Sequence, residues 1–243
     1  MYNNSKISIS SDMLMADLIL MNPHFLLLLD HFSIKLEVQE KSIAEVCRDN
    51  SISPDVFLAF ANLFTGKNLP ASIEYSINDV QIIISYLKNC HSYYLNEKCP
   101  QLSQYISTMN KKNDSSEMSL VQKFFKEYVK EITEHMVYEN ETVFPYIKEL
   151  YSLSQGKKKV SLRTKYSVKD YKEQHDDIEE KLTDLKNLLV KYLPVKKDST
   201  IRRTLLIGLS ELEYDLSIHS LIEDTILIPL VERLETLVKK GHK

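Results

Sequence analysis

Beyond about residue 74, apolar positions recur every three or four residues in four long stretches, roughly 76–110, 116–151, 167–192 and 199–238. The first carries the stripe Val80, Ile84, Leu87, His91 and Tyr94, and the second Tyr128, Ile132, His135, Glu139, Val143 and Tyr146. The third carries Tyr171, His175, Ile178, Leu182, Leu185 and Leu189, and the fourth Leu212, Leu216, His219, Glu223, Ile226 and Leu230. Residues at this spacing share one face of an α-helix. The intervening segments, 110–116, 154–165 around Gly156 and 194–200, are short and polar, which predicts an antiparallel four-helix bundle.

The first 65 or so residues read as shorter helices. Ser11 and Asp12 offer a cap for a helix running to Asn22, and Pro23 opens another. Ser42 starts a helix over 43–47, and Ser53-Pro54-Asp55 leads into one over 56–64. The run from Thr65 through Gly66 to Pro70 is the best linker. The expected fold class is all-α: a small helical N-terminal domain over 1–68, then the four-helix bundle over 74–240.

Composition changes this picture little. Scarce glycine and absent tryptophan favour helices over sandwiches or barrels. A net charge of −3 gives no electrostatic case for nucleic acid or an anionic membrane as partner. The run Lys157-Lys158-Lys159, with Arg163 and Lys165, reads as a solvated interhelical loop. Cys47, Cys90 and Cys99 are odd in number and lack C-x-x-C spacing, so a reducing compartment is expected. The apolar stretch 13–32 is broken by Asp17, Asn22, Pro23, His24 and Asp30, with no basic segment before it. It is therefore read as neither a membrane span nor a signal peptide, and a cytoplasmic location follows.

Candidate chemistry lies in a displacement. His91 and His175, His135 and His219, Glu139 and Glu223, and Pro145 and Pro229 each stand 84 residues apart. The chain thus carries H-x-x-x-E-x-x-x-x-x-P twice, each copy behind a lone histidine. One histidine on an apolar stripe is ordinarily a core residue, and one H-x-x-x-E an ordinary i, i+4 pair. Four stripes with one histidine each, two with a glutamate at equal spacing, point instead to one shared metal site. A glutamate on such a stripe is costly unless paired or bound to a metal. Four imidazoles and two carboxylates exceed the needs of one tetrahedral zinc and suit a two-metal centre. Motifs for zincins, P-loops and dinucleotide binding are missing. Glu131 and Asp215 obey the same 84-residue offset one turn before His135 and His219. They are expected to line the approach to the metals or hydrogen-bond their ligands, the alternative being a solvated helix face. His24, His31 and His242 fall outside the pattern and read as structural or surface residues.

The segments KNCHSYYLNE, HMVYENETVFPYI, EQHDDIEEKL and HSLIEDTILIPL resemble the hemerythrin-like domain over about 74–238, closest to the repair of iron centres (RIC) branch. The resemblance implies His91, His135, His175 and His219 as terminal ligands and Glu139 and Glu223 as bridging carboxylates. It implies two non-haem iron ions, oxo- or hydroxo-bridged, with manganese or zinc left open by the donor set. The implied function is binding or processing of O2 or NO in oxidative or nitrosative stress, with support of iron–sulfur cluster repair. The alternative is a non-enzymatic sensor or carrier signalling through the N-terminal domain to a protein partner or a second copy of the chain. The stretch HFSIKLEVQEKSIAEVC is similar to that family's short N-terminal domain. Where the family carries Cys-Cys followed by glycines, this chain has Glu37-Val38-Gln39-Glu40, so dithiol chemistry there is put in doubt.

Overall fold

The structure, a computed structural model, describes residues 9–66, 75–113, 115–156, 166–174, 180–193 and 198–241. It is all-α; among the described residues the only β pairing is an isolated bridge between Leu14 and Ser42. His175, His242, the Lys157–Lys159 run with Arg163 and Lys165, and the linker beyond Gly66 lie outside the described residues. The chain divides into two compact units.

One unit comprises Met1–Asn89, Leu150–Lys159 and Leu221–Lys243. Its N-terminal helices are α1 (Met15–Met21), α2 (Phe25–His31), α3 (Ile43–Asp49) and α4 (Pro54–Leu63). Ser42 caps α3 in a reciprocal box with Glu45, as its sequence foretells. Helix α1 instead begins after Leu14, without a side-chain cap. Residues 11–15 are spent on another partner: Met15 N–H donates to the Lys41 carbonyl, Ile43 N–H to Met13 and Ala44 N–H to Ser11. The core of this unit gathers Phe32 and Phe60, each 4.7 Å from the Tyr86 ring. Tyr86 lies on α5 (Val80–Tyr93). His31 is a core residue edge-on to Tyr86. Gln39, where the resembled family has glycine, takes φ 51°, a left-handed conformation that disfavours a side chain.

The other unit comprises Cys90–Glu149 and Val160–Ser220 and holds the helical bundle. Here the end of α5 runs through a π-helical turn, Tyr94–Lys98, into α6 (Cys99–Asn113). After α7 (Ser116–Tyr138) comes a π turn, Glu139–Val143, and the start of α8 (Phe144–Ser154). The third arm contains α9 (Val168–Gln174), α10 (Glu180–Asn187) and a π turn, Leu188–Tyr192; the fourth is α11 (Ser199–Ile222). Ser115 caps α7, and Asn110 donates to Gln122 across the α6–α7 turn. Arg202 on α11 donates to the carbonyls of Leu189 and Leu193, satisfying the end of the third arm. Its charge is met by Asp198, which Asn113 also contacts. Gly208 lets α11 approach α6 closely: a Cβ there would meet Leu102 Cδ2 at 2.8 Å.

Beyond α11, a π turn Glu223–Leu227 leads into α12 (Ile228–Gly241). Three of the described π turns share one local cause. In each, a helical proline follows the first residue by six positions: Pro100, Pro145 and Pro229. A helical proline lacks the N–H owed to the carbonyl four residues back, and its ring crowds that carbonyl. The preceding residue then reaches back five: Cys99 to Tyr94, Phe144 to Glu139 and Ile228 to Glu223. Single π turns of this kind cluster at functional sites. Two of the four open on the repeated glutamates. None of the described helices is long and apolar enough to cross a membrane.

Candidate metal centre

Within the bundle unit, the first, second and fourth stripes each bury a polar member. His91, Glu139 and His219 are buried, and His135 is largely so. His91 Nε2 stands 3.3 Å from His219 Nε2 and 3.3 Å from Glu139 Oε2. His135 Nε2 stands 3.5 Å from the same Glu139 oxygen, one turn along α7. Rings hold these orientations. Phe144 stacks on His91 at 5.5 Å and 17°, and Tyr94 meets His219 edge-on at 5.9 Å. Phe144 follows Glu139 by five residues, so the widened turn helps bring both to the same histidine.

The donor set fits a metal cation. One ligand atom each from His91, Glu139 and His219 lies within 4.8 Å of the others. With metal–ligand bonds of about 2.0–2.2 Å, neighbouring donors on one ion sit roughly 2.8–3.6 Å apart, the range of the 3.3 and 3.5 Å separations. The electrostatics agree. Burial pushes His91 below its usual value, leaving a neutral imidazole. Burial alone would raise Glu139, but hydrogen bonds from His135 and His91 outweigh it and hold the carboxyl well below the usual range. Two neutral rings meeting nitrogen to nitrogen share one proton at most, whereas a cation takes a lone pair from each.

Of the remaining site residues, Glu223 is fully buried and opens a π turn one helical turn beyond His219. The repeat-related pair Glu131 and Asp215 diverges: Glu131 is exposed and pairs with Lys181, whereas Asp215 is buried. Sequence reasoning treated Tyr171 only as a stripe residue, yet its hydroxyl donates to Glu139 Oε1 at 3.1 Å. The available signal was its place one turn before His175. Phe144 was missed because the π turn shifts which residues share a face.

Compared with models of known protein families, residues 82–231 match the one described as "Hemerythrin HHE cation binding domain", more than half of the chain. No curated protein matches.

Proposed function

We propose, from the premise that the chain belongs to the hemerythrin HHE cation-binding family, that it is a cytoplasmic non-haem di-iron protein. In this reading it is of the repair of iron centres kind, taking up O2 or NO under oxidative or nitrosative stress. The observation that carries the reading is the convergence of His91, His219 and Glu139 in a water-excluding interior. His91, His135, His175 and His219 would serve as histidine ligands, and Glu139 and Glu223 would supply carboxylates to the same centre. Six donors, two able to bridge, suit a pair of irons better than one four-coordinate zinc. The two irons would supply an open coordination position for a diatomic molecule and one-electron redox change.

The chain's own residues supply the rest. Glu139, held ionised, offsets cationic charge, and His91, held neutral, needs only a shift of its ring proton to Nδ1, not the loss of a net proton, to present a lone pair at Nε2. Phe144 and Tyr94 keep the two imidazoles from turning. Thiol chemistry has no comparable support: burial pushes Cys47 up to about 12, far from a reactive thiolate. Its free, buried cysteines accord with a reducing cytoplasm.

The deciding experiment is metal analysis and an optical spectrum of protein purified under air and under nitrogen. Two irons per chain, an oxo-bridge absorption in air and a spectral change on adding NO to the reduced protein support the reading. Zinc alone, or fewer than two metals after reconstitution with iron, overturns it.

A further inference from the structure

Glu139 divides its two oxygens between different neighbours. Oε1 accepts from the Tyr171 hydroxyl at 3.1 Å, while Oε2 faces His91 Nε2 at 3.3 Å and His135 Nε2 at 3.5 Å. Both side chains are sealed from water, Tyr171 at 2% and Glu139 at 0% exposure. The phenol's position is set by the first turn of α9, where Ser167 donates from backbone and side chain to Asp170 and Tyr171 N–H donates to Ser167. A carboxylate with both oxygens free can give one to each ion. One whose Oε1 already accepts from a phenol has a lone pair fewer there, which leaves Oε2 the freer oxygen.

We infer that Tyr171 is a positioning residue: by donating to Glu139 Oε1 it fixes the carboxylate so that Oε2 is the oxygen presented between His91 and His135. The inference rests on Glu139 being a shared ligand, as proposed above. It also breaks the internal symmetry. The 84-residue repeat that relates His175 to His91 relates Tyr171 to Leu87, which has no hydroxyl to donate. The tyrosine that donates to Glu139 therefore has no equivalent at the repeat-related position of the first arm.

The test uses the full chain as wild type, Tyr171→Phe, Tyr171→Gln and Glu139→Gln, each loaded with Fe(II) under nitrogen. Calorimetry reads the affinity for each ion, infrared difference spectra between loaded and metal-free protein read the carboxylate bands, and circular dichroism checks folding. Tyr171→Phe is expected to keep its helix content and bind the weaker ion about 10–100-fold less tightly, the usual cost of losing a group that orients a ligand. It should also shift the carboxylate band that Glu139→Gln abolishes. Tyr171→Gln, which keeps a donor, should restore most of the affinity and the wild-type band. Wild-type affinity and bands in Tyr171→Phe overturn the inference, and so does a Gln chain as impaired as the Phe chain. If the Phe chain does not fold, the Gln chain decides alone, with bands unlike wild type overturning it. A wild type that takes up fewer than two ions sinks the di-iron reading instead, which keeps the two failures distinct.

Discussion

His91 and His219, 128 residues apart in the chain, bring their Nε2 atoms to 3.3 Å inside the bundle. Each is a donor the other cannot replace. His219→Ala is therefore expected to lower metal content from two ions to one or none while the chain stays helical, as read by elemental analysis and circular dichroism. Two ions with an unaltered visible spectrum would falsify the assignment of His219.

Glu139 and Glu223 are the two carboxylates proposed as ligands to both ions. Glu139→Ala and Glu223→Ala should each yield a one-metal protein or one that holds its second metal too weakly to survive desalting. If either variant retains two irons and the wild-type spectrum, its carboxylate supports other residues and is not a ligand.

Pro145 keeps the π turn open behind Glu139, at a cost to the helix of about 3 kcal/mol for an interior proline, part of which the turn absorbs. Pro145→Ala should let Glu141 regain an i+4 donor and draw the segment toward regular α geometry. Phe144 would then leave the His91 ring. Stability of the metal-free protein should rise by about 1–3 kcal/mol, while metal affinity falls about tenfold or more. Measuring urea unfolding and metal titration on the same variant checks both signs; affinity equal to wild type would show that the turn does not position the site.

Acid should destabilise the metal-free protein in two steps. Folded His91 has its value lowered from 6.5, so as pH falls through about 6.5 the unfolded chain takes a proton that the folded chain refuses. Stability then drops by up to about 1.4 kcal/mol per pH unit. Glu139 is held below 4.5, so its contribution is present above that pH and is lost as pH falls from there through its folded value. Unfolding free energies at about pH 7.5, 5.5 and 4 are the measurement. His91→Asn should flatten the first step and keep the second; an unchanged first step in that variant would assign it to another group.

Asp198 is fully buried against Arg202, whose side chain is 7% exposed. Asp198→Ala would leave the guanidinium on two carbonyls without its counter-charge, a loss of about 3–5 kcal/mol. Since Arg202 also ends the third arm, the drop in melting temperature should exceed that of Glu131→Gln, whose pair with Lys181 is half exposed.

What could be read directly was local. The stripes from Val80 to Tyr94 and from Leu212 to Leu230 are buried along their whole length, because helical periodicity and polar breaks are written residue by residue. The matched spacing likewise singled out His91, Glu139 and His219, whose ligand atoms come together in the bundle unit. Residue type and spacing could not say which atoms meet. Glu131 and Asp215 share the 84-residue repeat, but packing of neighbouring arms sent one to Lys181 at the surface and the other into the interior. Tyr171 reached Glu139 because separate helices set the depth of a hydroxyl that, along its own stripe, is only another large ring. The π turns fall between these cases. Their prolines stand in plain view, yet the strain they impose becomes a shifted helix face only when long helices pack through them and carry Phe144 onto His91.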